Sequence, residues 1–156
     1  MILVGLGSNI DGPWGNPHAS VKRALQELNI GPIRLVRHSS LIDTDPYGRK
    51  NQPRYVNAVA IIATHLPPEA LMRRLLDIEI KGGRKRRLRW GPRTIDLDVL
   101  DYHGLRLRCN QPRSKALILP HPEILKRDFV LGPIAEIAPN WIHPVIRVNA
   151  LLLYRR

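Results

Sequence analysis

A basic loop runs directly into an apolar strand in the stretch Arg89-Trp90-Gly91-Pro92-Arg93-Thr94-Ile95-Asp96-Leu97-Asp98-Val99-Leu100. Apolar residues alternate with other residues over 94–100, which predicts a β-strand. Side chains at positions i and i+2 of a strand point to the same face. Asp96 and Asp98 are therefore expected to lie side by side. Two adjacent carboxylates repel each other, and a divalent cation relieves that repulsion.

Ligand chemistry and the neighbouring arginines indicate what such a cation would do. Oxygen-only ligands favour Mg²⁺, which usually takes one or two carboxylates and completes its shell with water and phosphate. Four arginines just upstream can neutralise a polyphosphate: Arg84, Arg86, Arg89 and Arg93. The pattern therefore indicates phosphoryl-type transfer. The alternative is the solvated face of an edge strand, but Trp90 and the Gly91-Pro92 turn favour a loop with a set shape.

The order and spacing of several further motifs resemble one enzyme family. They extend over most of the chain as Gly5-Leu6-Gly7-Ser8-Asn9, Thr44-Asp45-Pro46-Tyr47-Gly48, Asn51-Gln52-Pro53-Arg54-Tyr55-Val56-Asn57, Ile78-Glu79, Gly83-Arg84, Pro120-His121-Pro122, Arg127-Asp128-Phe129-Val130-Leu131 and Glu136-Ile137-Ala138-Pro139. Together with the stretch quoted above, they are similar to the 6-hydroxymethyl-7,8-dihydropterin pyrophosphokinases. Enzymes of this family move pyrophosphate from ATP to a pterin alcohol in folate biosynthesis and release AMP.

The resemblance implies a role for each matching residue. It implies that Asp96 and Asp98 hold Mg²⁺, as a pair of ions, and that Arg84 and Arg93 act in catalysis. The implied pterin-binding residues are Thr44, Pro46, Tyr47, Tyr55, Asn57 and Phe129. The implied contacts to ATP, the co-substrate, come from Glu79, Arg86, Trp90, Val99, His121 and Arg127.

The residue types alone support some of these roles and leave alternatives. Tyr55 and Asn57 share one strand face and offer a ring to stack on and an amide to pair with a heteroaromatic edge; they could equally pack at a core rim. Phe129, without the family, would be an ordinary core residue, and Glu79 an exposed helical glutamate. The glycine-rich segment at 5–9 lacks a phosphate-binding pattern, so we expect it to shape the site.

Composition favours a single domain, residues 1–156, with a real core. Lys and Arg number 25 against 13 Asp and Glu, a net charge of +12, which favours polyanionic partners. ATP is one such partner, and nucleic acid is the alternative. The excess of arginine could also reflect genome composition or thermal adaptation and no partner at all. The single Cys109, the lack of a signal peptide and the lack of a long apolar run predict a cytoplasmic protein without a membrane partner. We also expect a monomer without a specific nucleic-acid partner.

The pattern of elements predicts an α+β, ferredoxin-like β-α-β-β-α-β core with a C-terminal extension. Strands are expected at 1–6, 33–42, 55–64 and 94–100. Helices are expected from Pro17, capped by Asn16, and from Pro67-Pro68-Glu69 to Gly82-Gly83. Short helices are expected at 123–126 and 134–137, and a strand or helix at 145–153.

Two other classes of protein were compared with this prediction. An RNA-recognition module has the same order of elements but needs aromatic motifs that the chain lacks. A basic structural protein would not need the paired acids. Removing either Asp96 or Asp98 is expected to maintain or raise stability, because it relieves repulsion.

Overall fold

Five strands and two long helices form the first two thirds of the chain in a computed structural model that describes residues 1–85, 91–109 and 116–156. The elements are β1 (Ile2–Ser8), α1 (Pro17–Glu27), β2 (Ile33–His38), β3 (Ile42–Thr44), β4 (Tyr55–Thr64), α2 (Pro68–Lys81) and β5 (Asp96–Tyr102). They are followed by β6 (Leu107–Cys109), β7 (Leu117–Leu119), a 3-10 helix (Ile124–Lys126), α3 (Asp128–Ile137) and α4 (Ala150–Tyr154).

The main sheet has the strand order β2-β4-β1-β5, and every neighbouring pair is antiparallel. β1 and β2 run in the same direction with β4 between them, so the first half of the fold is a split β-α-β unit. This topology confirms the predicted ferredoxin-like core. β6 and β7 form a separate two-stranded sheet, which the sequence did not predict.

The single strand predicted over 33–42 is wrong, because the chain forms two strands there. β2 has a bulge between Leu35 and Arg37 and ends at His38. Ser39 then bonds to β4 twice: its backbone N–H donates to the Val59 carbonyl, and its hydroxyl accepts from the Val59 N–H. These bonds turn the chain, and β3 resumes pairing further along the same strand, with Thr44 opposite Tyr55. The ten residues of β4 are long enough to pair with both strands in tandem.

Each face of the sheet covers a different hydrophobic core. On one face, α1 and α2 pack on alternate strand residues such as Val4, Leu97 and Ile62. On the other face, α3 and α4 pack on Leu3, Val59 and their neighbours. The second layer is shorter, so it covers only part of its face. The uncovered part is the floor of the cavity described below.

Local sequence accounts for where the helices begin. Asn16 accepts a hydrogen bond from the Ala19 N–H and Pro17 is the first residue of α1, as predicted, which satisfies one otherwise unpaired donor. Pro68 is likewise the first residue of α2, but Pro67 precedes it and no side chain caps this helix. The helix predicted at 134–137 is longer in the structure, since α3 already begins at Asp128 and contains Pro133. Within the described parts of the chain, no helix is long and apolar enough to cross a bilayer.

Candidate active site

A cavity of about 500 Å³ lies over the uncovered part of the sheet, within the usual range for small-molecule sites. Its floor comes from β1, β4 and β5. Its walls come from the loop after β3 and from the segment around the 3-10 helix and the start of α3. One end is lined by charged side chains and the other by rings and an amide.

Two glycines of β1 make the floor low enough to hold a ligand. Strand register places Gly7 between Asn57 of β4 and Asp96 of β5. A Cβ added to Gly7 would lie 2.9 Å from the Asn57 Oδ1 atom, and one added to Gly5 would lie 3.4 Å from the side chain of Leu100. Side chains at either position would therefore fill the furrow between the amide and the carboxylates. This geometry agrees with the predicted shaping role of the segment.

The charged end of the cavity is built around Asp96. Its Oδ1 atom accepts hydrogen bonds from Arg84 Nη1 at 3.0 Å and from Arg93 Nη1 at 2.7 Å. Burial lowers the pKa of Arg93, but the charge and hydrogen bond of Asp96 outweigh it and leave that pKa above its ordinary value. Arg93 is therefore a fixed positive charge at any physiological pH.

Glu79 is buried beneath the charged end of the cavity and contacts Arg84 and β5 there. It is 1% exposed, its Oε1 accepts from the backbone N–H of Leu97 at 2.7 Å, and its Oε2 pairs with Arg84. The backbone carbonyl of Glu79 also accepts from the Arg84 N–H at 3.0 Å. The alternative of an exposed helical glutamate is therefore wrong. Glu79 does not line the cavity, so its side chain positions Arg84 and the start of β5 from beneath.

Asp98 has different surroundings from Asp96, although both face the cavity. His121 Nε2 lies 3.9 Å from Asp98 Oδ2. The other ring nitrogen of His121, Nδ1, accepts from the Glu123 N–H at 3.2 Å. In a neutral imidazole the nitrogen that accepts carries no proton, so Nε2 carries it. His121 therefore presents an N–H donor toward the charged end of the cavity.

Rings and an amide line the opposite end of the cavity. The Tyr55 hydroxyl donates to the Gly91 carbonyl at 3.2 Å, and burial raises the pKa of Tyr55, so it stays protonated. Asn57 Nδ2 donates to Thr44 Oγ1 at 2.6 Å. The ring centroids of Tyr47 and Phe129 are 6.0 Å apart in an edge-to-face arrangement. Such an end can hold a flat heteroaromatic ring.

Arg127 packs against the rings at the aromatic end of the cavity. Its guanidinium carbon lies 5.1 Å from the Tyr47 ring centroid and 5.7 Å from that of Phe129. Both distances fall in the cation–π range. The hydroxyl of Tyr47 also bonds to Glu123 at 3.3 Å. This closed cluster of two rings and one cation holds the loop after β3 against α3.

The structure brings most of the predicted site residues into this one cavity. Eleven of them line it: Thr44, Tyr47, Tyr55, Asn57, Arg84, Arg93, Asp96, Asp98, His121, Arg127 and Phe129. Pro46 does not line it, although its neighbours Asp45 and Tyr47 do. The side chain of Val99 is buried in the core beneath α1 and α2, so the expected ATP contact could come only from its backbone. Arg86 and Trp90 lie outside the described residues.

Asp96 and Asp98 are suitable ligands for Mg²⁺, the ion that the sequence predicts for them. The side chains of Asp96 and Asp98 are 23% and 14% exposed and open into the cavity, and both supply oxygen only. Within residues 1–85, 91–109 and 116–156, no group of three or more His, Cys, Asp or Glu could hold an ion. Mg²⁺ does not require one, because it commonly takes one or two carboxylates and completes its shell with water and phosphate oxygens.

Sequence reasoning missed two features of the site. Asn9 is buried and bonds to both loops beside the cavity. Its partners lie 43, 44 and 84 residues away, so no local pattern could identify them. Glu123 lines the cavity and holds both Tyr47 and Lys126. Its position two residues after His121 is the only signal that could have indicated it.

A sheet furrow with a carboxylate pair, two half-buried guanidinium groups and a ring-and-amide pocket defines an enzyme that moves phosphate groups onto a flat heteroaromatic substrate. Comparison with known families gives the same class. The chain belongs to the 7,8-dihydro-6-hydroxymethylpterin-pyrophosphokinase (HPPK) family, whose family model matches residues 3–139. The resemblance identified from the sequence motifs is thereby confirmed.

Individual relatives and solved structures agree with this assignment. The chain is 42% identical over 140 residues to a 2-amino-4-hydroxy-6-hydroxymethyldihydropteridine pyrophosphokinase of Methylorubrum extorquens, covering 89% of this chain and 83% of that one. It is 43% identical to the Pseudomonas aeruginosa protein of the same name, covering 89% and 81%. A Plasmodium falciparum HPPK-DHPS structure matches 99% of the chain with a TM-score of 0.78 at 12% identity. The chain spans 43% of that protein, so this likeness shows the fold alone.

Proposed function

We propose that this enzyme transfers pyrophosphate from ATP to 6-hydroxymethyl-7,8-dihydropterin in folate biosynthesis. The observation that carries the proposal is the row formed by Asn57, Gly7 and Asp96 on three neighbouring strands. Strands are about 4.8 Å apart, so the backbones of Asn57 and Asp96 lie about 10 Å apart, with the Asn57 amide oxygen beside Gly7 in the furrow between them. A pterin at one end therefore reaches a phosphate at the other.

The aromatic end would bind and orient the pterin. Asn57 presents an amide, held by Thr44, that can pair with the donor and acceptor edge of the ring. Tyr55, Phe129 and Tyr47 offer ring faces and edges for stacking. Pro46 would shape the loop wall. Such binding places the hydroxymethyl oxygen toward the charged end and converts the transfer into a reaction between positioned groups.

The charged end would bind the polyphosphate. The pterin oxygen forms a bond to the β-phosphorus of ATP, the bond from that phosphorus to the bridging α-phosphate oxygen breaks, and AMP leaves as the hydroxyl loses its proton. Arg84 and Arg93 would balance the charge on the moving group, because planar guanidinium groups match phosphate geometry. His121 and Arg127 would donate to ATP, together with Arg86, Trp90 and the backbone of Val99.

Asp96 and Asp98 would hold Mg²⁺, as two ions, which would supply charge neutralisation at the phosphate oxygens. Arg84 and Arg93 neutralise Asp96 in the structure. The phosphate groups of ATP would therefore compete with Asp96 for Arg84 and Arg93. An arginine that binds phosphate instead of Asp96 would free a carboxylate oxygen of Asp96 to bind the cation. Glu79 would keep Arg84 in reach throughout this exchange. The enzyme would act as a monomer and require no nucleic-acid or membrane partner.

The test is AMP formation from ATP in the presence and absence of the reduced pterin alcohol. The proposal requires AMP and pterin diphosphate to appear in equal amounts, and only when both substrates and Mg²⁺ are present. Phe129→Ala should weaken pterin binding far more than ATP binding, by on the order of 1 kcal/mol beyond lost contact area. AMP release that ignores the pterin, or ADP as the product, would overturn the proposal.

A further inference from the structure

Two consecutive serines, Ser39 and Ser40, lie where β2 ends and β3 begins. Ser39 is 1% exposed. Its backbone N–H donates to the Val59 carbonyl of β4 at 2.8 Å, and its hydroxyl accepts from the Val59 N–H at 3.0 Å. The same hydroxyl donates to the Ser40 carbonyl at 2.9 Å. These bonds attach Ser40 firmly to the sheet.

Ser40 in turn bonds to the last turn of α3. Its backbone N–H and its hydroxyl both donate to Glu136 Oε1, at 2.9 and 2.8 Å. The two residues are 96 positions apart in the sequence, so these bonds join the start of β3 to a helix of the C-terminal extension. Glu136 begins the motif Glu136-Ile137-Ala138-Pro139, to which the reaction proposed above assigns no role.

Glu136 is poorly placed to stabilise α3 itself. The carboxyl end of a helix carries partial negative charge, so an acid in the last turn is unfavourable there. No basic residue of α3 lies in that turn to offset it. Glu136 is also exposed, so it adds little to the core. Within the described residues, Ser40 is the one hydrogen-bond partner of its carboxylate.

The two elements that meet at Ser40 carry two recognition groups of the aromatic end of the cavity. β3 ends at Thr44, whose Oγ1 accepts from the Asn57 amide at 2.6 Å. α3 begins beside the cavity, where Phe129 lines it. The bonds between Ser40 and Glu136 therefore connect the element that holds the amide to the element that carries the ring.

Other contacts fix the relative position of β3 and α3 less directly. Among the described strands, β3 has three residues and pairs only with β4. Apolar side chains such as Leu131 and Ile134 hold α3 on the sheet, but apolar burial has no preferred direction. The contact between Tyr47 and Phe129 would change when a substrate stacks on these rings. Hydrogen bonds depend steeply on distance and angle, so those at Ser40 can set the position of α3 along the sheet.

We propose that Glu136 is a positioning residue for the pterin and acts through its hydrogen bonds to Ser40. The inference rests on the proposed function, because it takes the pterin as the ligand. Glu136 does not line the cavity; it sets the distance between the Asn57 amide and the Phe129 ring. Without its bonds these two groups are no longer held in place, and the pterin must order them as it binds, which weakens its affinity.

The nucleotide should be affected much less than the pterin. Most of the groups assigned to the phosphates belong to β5 or bond to it, as Arg84 and Arg93 do through Asp96. β5 lies at the other edge of the sheet from β2 and β3. A displacement of α3 relative to β3 therefore leaves this part of the site in place.

Three substitutions distinguish hydrogen bonding from charge. Glu136→Ala removes both the acceptor and the charge, whereas Glu136→Gln removes the charge and retains an oxygen that can accept both bonds. Ser40→Ala removes the hydroxyl donor and leaves the backbone N–H. Asp77→Ala is the control, because it removes an exposed helical acid from α2, on the opposite face of the sheet.

The experiment is calorimetric titration of each protein with a non-hydrolysable ATP analogue and Mg²⁺, and then with 6-hydroxymethylpterin at saturating analogue. We expect Glu136→Ala to bind the pterin on the order of 10-fold more weakly, below the roughly 100-fold that a displacement of 1 Å can cost. Ser40→Ala should show a smaller loss. Glu136→Gln and Asp77→Ala should remain within about 2-fold of the wild type, and all variants should bind the analogue within the same limit.

A role in stability alone would give a different result. Loss of these exposed bonds should lower the melting temperature of Glu136→Ala by less than about 4 °C, so its weaker pterin binding would not reflect unfolding. The double variant Glu136→Ala/Ser40→Ala should bind the pterin no more weakly than Glu136→Ala, because both changes break the same link. Additive losses in the double variant would show that the two residues act separately, which overturns the inference.

The inference is also overturned if Glu136→Ala is folded and binds the pterin as the wild type does, or if it loses pterin and analogue affinity equally. Glu136→Gln as weak as Glu136→Ala would assign the effect to charge and overturn it too. Should Glu136→Ala fail to fold, Ser40→Ala decides alone, and an unchanged pterin affinity there overturns it. Failure of the proposed function is a separate result, since it would appear as wild-type protein that forms no pterin diphosphate. Product formation with unchanged pterin affinity in Glu136→Ala would count against Glu136 only.

Discussion

Asp96 and Asp98 are equivalent in the sequence pattern but not in the structure. Asp96 accepts from two guanidinium groups, Arg84 and Arg93. Asp98 has a histidine ring nitrogen at 3.9 Å. The expectation that removing either acid would maintain or raise stability therefore needs correction for Asp96. Without that carboxylate, two guanidinium groups would face each other with less to neutralise them.

We accordingly expect Asp96→Asn and Asp98→Asn to differ in stability but not in activity. Both should lower turnover on the order of 100-fold or more, because each removes a charge that acts on the phosphate. Asp96→Asn should also lower the free energy of unfolding by about 2 kcal/mol, the usual scale for bonds to charged groups. Asp98→Asn should remain within about 0.5 kcal/mol. Urea unfolding and the AMP assay measure the two effects, and equal stability of both variants would contradict the arrangement.

At the residue scale, local chemistry determined what the sequence could predict. The paired acids and the arginines beside them lie within fifteen residues of each other, so their spacing indicated a phosphate site, and the family resemblance singled out Arg84 and Arg93. Tyr55 and Asn57 were indicated by a shared strand face, whereas Tyr47 and Phe129 were indicated only by the family resemblance. Val99 stays a prediction: its side chain is in the core, and a family match names a residue without saying whether its side chain or its backbone makes the contact. Asn9 was missed because its partners become neighbours only in the folded chain.

At the scale of elements, the turn after α2 is tightly packed. Gly83 has φ +83°, a conformation that other residues rarely adopt, and a Cβ there would lie 2.4 Å from the Cδ of Pro13. The next residue is Arg84, whose guanidinium reaches Asp96. Trp14 packs beside the preceding Gly82. The loop after β1 therefore holds the turn that begins the arginine-rich loop.

Gly83→Ala should damage both stability and activity. Gly104→Ala is the control: Gly104 has φ +73° and an added Cβ would meet nothing within 4 Å, so this variant shows the cost of the backbone conformation alone, about 1 kcal/mol. Gly83→Ala should cost about 1–3 kcal/mol more because of the contact with Pro13. It should also lower kcat on the order of 10- to 100-fold by displacing Arg84. Thermal unfolding and steady-state kinetics decide, and full activity in Gly83→Ala would show that the turn does not position Arg84.

Element prediction was reliable where a periodic pattern was long and poor where it was interrupted. The start of α1 and both ends of α2 and β4 were predicted nearly correctly, because turn residues and apolar periodicity agree there. β2 and β3 were merged because the Ser39 contacts that separate them are made to β4, which follows in sequence. α3 was predicted too short because Gly132 and Pro133 are uncommon inside helices, and tertiary packing on the sheet overrides that preference.

At the scale of the whole molecule, a buried polar cluster joins the C-terminal extension to β5. Trp141 donates through Nε1 to Asp101 Oδ2 at 2.8 Å, and its ring packs edge-to-face on His143. His143 Nδ1 accepts from the Val145 N–H at 3.2 Å. Burial lowers the pKa of His143 below its ordinary 6.5; Asp101 opposes that shift and Arg106 adds to it. The folded protein therefore holds this imidazole in its neutral form.

This cluster should make the protein less stable in weak acid. In the unfolded chain His143 takes up a proton near pH 6.5, whereas in the folded chain it does so at lower pH. The stabilisation is thus complete above about pH 6.5 and is lost as pH falls from there toward the folded-state pKa. His143→Asn, which retains an acceptor near Nδ1 but does not titrate, should remove this part of the pH dependence. Urea unfolding at pH 7.5 and 5.5 gives the comparison, and identical losses in both proteins would contradict it.

The net charge of +12 should not signify a nucleic-acid function. The arginines next to the site are engaged by Asp96 and Glu79, while many of the others are exposed and scattered over the surface. Binding to RNA or DNA should then be weak, independent of sequence and lost steeply as salt rises. Competition between ATP and short RNAs in Mg²⁺ at physiological salt measures this. Tight binding of one RNA sequence over its scrambled versions would favour the binding-module alternative.

The two cores on opposite faces of the sheet give the protein two separate fluorescent reporters. Trp14 packs against the core beneath α1 and α2, and Trp141 lies in the core beneath α3 and α4. Proteins that retain only one of these indoles, with phenylalanine at the other positions, would each report on one layer. The layers share the same strands, so both emission signals should change at the same urea concentration. If the Trp141 signal changed first, the layer that carries Phe129 would open while the rest of the sheet stayed folded.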